Sequence, residues 1–142
     1  MANVFDVSAY ILRQTGRVTA MKLQKLVYYA QAWSLVWDER PLFPEPIEAW
    51  ANGPVCPPLF AAHRGQFTVD SVPNGDADAL TKDERETVDA ILATYGDKSA
   101  AWLSDLTHRE RPWMAARQGL PDGVRSDREI THAAMAEYYD SL

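Results

Sequence analysis

Few side chains in this chain of 142 residues could do chemistry: one cysteine, three histidines, and a lysine set inside an apolar stretch. Nucleophilic catalysis would need Cys56 paired with a histidine. It sits between Val55 and Pro57 with no recognisable spacing to His63, His108 or His132. Those histidines are not spaced as a helical metal pair, and a lone cysteine builds neither a thiolate cluster nor an internal disulfide. There is no glycine-rich phosphate loop, because Gly65, Gly75, Gly96 and Gly119 are isolated turn or helix stops. His108, ahead of Arg109-Glu-Arg-Pro-Trp113, reads as a helix-end histidine favoured by the helix dipole rather than a catalytic base. Lys25 admits three readings. Its ammonium reaches the rim or a carboxylate, or it contacts a partner protein that covers its face, or it is a nucleophilic amine, for which no supporting constellation exists. The expectation is a protein that is not an enzyme, with no cofactor and no metal site.

The element that must position Lys25 runs from Thr19 to Trp37. Thr19 is a suitable N-cap, and no glycine or proline follows until Pro41, long enough for about five turns. At helical spacing Leu23, Leu26, Val27, Ala30, Trp33, Ser34 and Trp37 share one face. Tyr29, Ala32 and Val36 lie opposite, with Tyr28 and Leu35 beside them. A helix apolar nearly all round is enclosed by its neighbours, so this is the expected central helix. Its few polar residues, Lys22, Gln24, Lys25 and Gln31, therefore carry the information.

Composition bounds the rest. The length fits one domain, 1–142, and 46% hydrophobic with 11% aromatic content supports a real core. The net charge of −6 is uneven: residues 1–40 carry five Lys/Arg against three Asp/Glu, and residues 41–142 carry nine against seventeen. This balance disfavours nucleic acid as the main ligand and disfavours anionic membranes, while a basic or mixed-charge protein partner is compatible. Arg13, Arg17, Lys22 and Lys25 make only a modest basic cluster. No apolar run approaches the length of a membrane span and no signal pattern opens the chain, so the expected compartment is the cytoplasm.

In chain order, Asn3 and Asp6 open a first helix that ends at Gly16 and forms a hairpin with the central one. Pro41, Pro44 and Pro46 then forbid regular helix. Ile47–Trp50 reads as a short strand stopped by Asn52-Gly53-Pro54, and a short helix follows to Gly65. Gln66–Val72 alternates as a strand able to pair with 47–50. Thr81-Lys-Asp-Glu84 is a capping box for a helix carrying Val88, Ile91, Leu92 and Tyr95 inward. Ser99 caps a helix to His108, Pro112-Trp113 begins a short one, and Thr131 caps the last, through Tyr139. Trp113 reads as core. The predicted fold is mainly α: a compact single-domain helical fold around a central helix, with a small two-stranded β-ribbon.

Met21-Lys-Leu-Gln-Lys-Leu-Val-Tyr-Tyr-Ala-Gln-Ala-Trp33, followed by Pro41-Leu-Phe43 and Ile47-Glu-Ala-Trp-Ala-Asn-Gly-Pro-Val55, resembles the Panacea domain of SocA-like antitoxins, which also has relatives among phage-associated proteins. Leu103–Trp113 resembles that family's second block, and Ile130–Tyr139 its closing helix, so the resemblance covers nearly the whole chain. It implies a bacterial or phage antitoxin from a toxin–antitoxin system, neutralising a cognate protein toxin by direct binding. That toxin is expected from the adjacent gene. The alternative it implies is a proteolytic adaptor that delivers a toxin or other client to an energy-dependent protease complex. Only about three residues precede the first helix, so no attached DNA-binding domain is expected. The partner-binding surface is expected on an exposed side of the central helix (Lys25, Tyr28, Tyr29) and on the turn Trp50, Asn52, Gly53, Pro54 and Val55. For that turn, a purely structural role packed on the central helix is the open alternative.

Overall fold

The computed structural model describes residues 1–142. Its elements run α1 (Val4–Thr15), β1 (Val18–Thr19), α2 (Ala20–Trp37), β2 (Ile47–Trp50), β3 (Gly53–Val55), α3 (Pro57–Ala62) and β4 (Thr68–Val69). A 3-10 turn (Ala77–Ala79) follows, then α4 (Lys82–Tyr95), α5 (Ala100–His108), α6 (Arg111–Ala116), β5 (Glu129–Ile130) and α7 (His132–Asp140). The fold is mainly α with small antiparallel β elements, as the sequence predicts.

The helices begin where their caps place them. The Lys22 amide donates to Thr19 Oγ1 (3.0 Å) at the head of α2. Capping boxes open α1 (Asn3 with Asp6) and α4 (Thr81 with Glu84), and Ser99 and Thr131 cap α5 and α7. Each such cap satisfies amides that would otherwise lack an intrahelical partner. Helices α1, α4, α5 and α7 and the β2–β3 hairpin all pack on α2. Every residue of α2 from Leu23 to Ala32 is buried. Each large apolar side chain sealed this way contributes about 1.5–3 kcal/mol.

The strands depart from expectation. Segment 66–72 does not pair with 47–50. Instead β2 is the middle strand of a three-stranded sheet, with Trp50 opposite Gly53 in β3 and Ile47 opposite Ile130 in β5. Thr68 and Val69 pair with Thr19 and Val18 at the head of α2, and the Ala20 amide donates to the Phe67 carbonyl (2.9 Å). Asn52-Gly53 does not simply end the strand; it turns it. Gly53 sits at φ 120°, a conformation side chains rarely adopt, so the chain reverses over Ala51 and Asn52. Pro54, which has no amide to donate, is accommodated because β3 is an edge strand.

The polar side chains of α2 hold the irregular backbone beyond it. Gln31 accepts from the Leu42 amide (2.7 Å) and donates to the Phe43 carbonyl (2.9 Å). Gln24 does the same at Cys56, accepting from its amide (2.8 Å) and donating to its carbonyl (3.4 Å). Ser34 Oγ donates to the Arg40 carbonyl (2.7 Å). From the other side, Trp113 Nε1 donates to the Trp50 carbonyl (2.8 Å) and the buried Arg117 guanidinium to the Ala49 carbonyl (3.1 Å). Substituting Gln31→Leu strands a buried amide and a buried carbonyl at once. We expect a loss of about 2–4 kcal/mol in urea unfolding, with the unfolding slope unchanged.

Candidate functional site

Lys25 lies under the β2–β3 hairpin and is fully buried, as are Tyr28 and Tyr29. The expectation of an exposed helix face carrying these three is therefore corrected. The hairpin, α5 and α7 cover what the sequence left open, because the amphipathic count could not show how many neighbours surround α2. The tyrosines belong to a buried polar network. Tyr29 and Tyr139 hydroxyls both donate to Glu110 Oε1 (2.7 and 2.8 Å), and Tyr28 and Tyr139 hydroxyls lie 3.0 Å apart. Burial raises the Glu110 pKa above the ordinary carboxylate range, and the two tyrosine hydrogen bonds pull it back down.

Lys25 meets no carboxylate and does not reach solvent. Its Nζ donates to the Pro54 carbonyl (3.3 Å) and lies 3.0 Å from Met21 Sδ. A Cβ on Gly53 would fall 2.6 Å from Lys25 Cε, and at φ 120° any side chain there would be strained, so glycine suits the closure of the hairpin over the lysine. Desolvation without a compensating anion lowers the amine's pKa to about 7.

The outer side of the hairpin forms one wall of a groove of about 890 Å³, completed by the head of α2, α3, the approach to β4 and residues 125–127. Trp50, Asn52 and Val55, all expected as contacts, line it, although Val55 is only 2% exposed, and Gly53 and Pro54 are buried behind it. Phe60 and Phe67 also line it and are 40% and 82% exposed, with Phe60 edge-on to Trp50 at 5.0 Å. Met21 contributes its side chain, and Glu48, Arg125 and Asp127 contribute charge of both signs. Sequence reasoning missed Met21, Phe60, Phe67 and 125–127. An aromatic among polar neighbours at position 67 was a signal, but the long-range closure of the groove had none.

The other chemical candidates are dispersed. Cys56 is buried, and burial pushes its thiol up to about 12, which leaves it protonated and unreactive. His63 donates to the Ser71 carbonyl (3.3 Å), and His132 lies 3.5 Å from Gln31 Nε2. His108 ends α5 and stacks on Trp113 at 4.0 Å; Trp113 itself is core, as read from the sequence. Desolvation lowers the His108 pKa, the nearby Asp122 opposes this, and Lys25 adds to it. No helix is long and apolar enough to cross a membrane.

A lysine whose folded pKa lies below its unfolded value is penalised while the unfolded chain holds the extra proton. Wild-type stability contributed by Lys25 therefore rises as pH climbs from about 7 toward the unfolded value near 10.5. Against Lys25→Met, which fills the same volume without charge, wild type should gain about 2 kcal/mol between pH 7 and pH 9 in urea unfolding. Parallel stability curves for the two proteins would show that the amine is not desolvated.

Residues 23–114 match the family model described as antitoxin SocA-like, Panacea domain. The chain is also similar to antitoxin SocA of Caulobacter vibrioides (strain NA1000 / CB15N), 29% identical over 115 residues that cover 72% of this chain. It spans 61% of the length of that curated relative. No solved structure matches it. With the family model covering α2, the hairpin, the groove aromatics and α5, the chain belongs to the SocA-like, Panacea-domain antitoxin family.

Proposed function

We propose that this protein is a non-enzymatic antitoxin that neutralises a cognate protein toxin by direct binding, and that the groove beside the β2–β3 hairpin is its docking face. The observation that carries this reading is the cluster of Trp50, Phe60 and Phe67 in one concave surface, two of them substantially exposed. Aromatic anchors in a groove concentrate binding energy, and Phe67 stands 82% exposed beside Trp50 and Phe60 in the free chain. Trp50, Asn52 and Val55 supply contacts; Lys25, Gly53 and Pro54 hold the turn that presents them. Tyr28 and Tyr29 act indirectly, by supporting α2 from within the core.

The test is co-expression with the product of the adjacent gene. Growth arrest by that product alone, relieved by this protein with a stable complex, is the expected result. Phe60→Glu with Phe67→Glu should weaken the complex at least about 30-fold, since each lost anchor costs about 1–3 kcal/mol. The thermal midpoint should hold, and Trp37→Glu, outside the groove, should leave binding unchanged. Full neutralisation by the Phe60/Phe67 double variant would move the interface elsewhere. Disappearance of the toxin in a protease-dependent manner would replace occlusion with delivery to a protease.

A further inference from the structure

The buried amine has a neighbour that links it to the groove. Met21 lines the groove and its Sδ stands 3.0 Å from Lys25 Nζ, so one flexible thioether touches both the amine and the open face. An ammonium has three donors, and here it finds one oxygen, the Pro54 carbonyl at 3.3 Å. No ion pair of the chain includes Lys25. Of the elements packed on it, β3 presents the uncharged Gly53 and Pro54. Helix α5 presents the Thr107 hydroxyl and, further off, His108, while on α2 itself Lys22 turns away to the Gly96 carbonyl (2.6 Å). The amine is thus a buried cation that no carboxylate of the chain neutralises. Methionine is the side chain best able to give way to one, being unbranched and easily repacked.

We propose that the groove carries a carboxylate-binding site, in which an aspartate or glutamate side chain of an acidic partner segment displaces Met21 and pairs with Lys25 while an adjacent apolar residue seats against Trp50 and Phe60. Glu48, Arg125 and Asp127 place both signs along the groove, and Lys25 is the buried cation behind Met21. Binding draws a proton onto the amine, which is half-protonated near pH 7 in the free chain. The inference rests on the groove being the docking face.

The probe is 3-phenylpropionate, titrated into the full chain and followed by the NMR signals of the Trp50 indole and the lysine side chains. Affinity should be about tenfold higher at pH 6 than at pH 8, because it follows protonation of Lys25. 2-Phenylethylamine, the same ring with opposite charge, should bind at least tenfold more weakly. Lys25→Met should lose the pH dependence while His108 remains in place. If that variant does not fold, Met21→Ala serves: with the thioether gone, the probe should bind tighter and keep its tenfold pH response. Equal affinity at the two pH values, equal binding of the amine, or a pH response that survives Lys25→Met overturns the site. A toxin that binds through the groove while 3-phenylpropionate does not bind leaves the docking face standing and overturns only the carboxylate site.

Discussion

Irregular backbone laid against an apolar helix is shut away from water, and its amides and carbonyls must find partners on that helix. The proline-bearing segment between α2 and α3 is in that position. Four side chains of α2 meet the demand in sequence: Ser34 at Arg40, Gln31 at Leu42 and Phe43, Lys25 at Pro54, and Gln24 at Cys56. The two glutamines act as substitute strands, each offering one acceptor and one donor to one stretch of main chain. These bonds fix the path of β2 and β3, and through it the groove. Trp113 and Arg117 complete the hold from α6 and its end. The proposed docking face is thus the outer side of a segment whose inner side is hydrogen-bonded to the core.

Lys25 stands apart from the other three α2 residues. A glutamine or serine is neutral and fully compatible with burial once bonded, whereas a buried amine without an anion weakens the fold whenever it is charged. The glycine above it and the methionine beside it seal it from water. A core optimised for stability alone would carry methionine or leucine there.

Much of this was legible in the sequence, for local reasons. Caps at Asn3, Thr19, Thr81, Ser99 and Thr131 are encoded within four residues of each helix start, and all are observed. The enclosure of α2 followed from its all-round apolarity. Strand partners were not legible, because two-residue strands such as Val18–Thr19 carry no periodicity and pair across some fifty residues. The Asn52-Gly53 pair was a hairpin signal read as a stop. The exposed face expected for Tyr28 and Tyr29 rests on the all-round apolarity of α2, more than one small domain looks able to cover; Glu110 and Tyr139, roughly 80 to 110 residues on, cover them.

The most direct measurement is amide hydrogen exchange of this protein alone and in complex with the product of the adjacent gene. Docking in the groove would bring new protection at Trp50–Asn52, Phe60–Phe67 and residues 125–127. Exchange in α2 should already be slow in the free chain and change little. Protection that appears on α1 and α4 instead, with the groove segments unchanged, would contradict it.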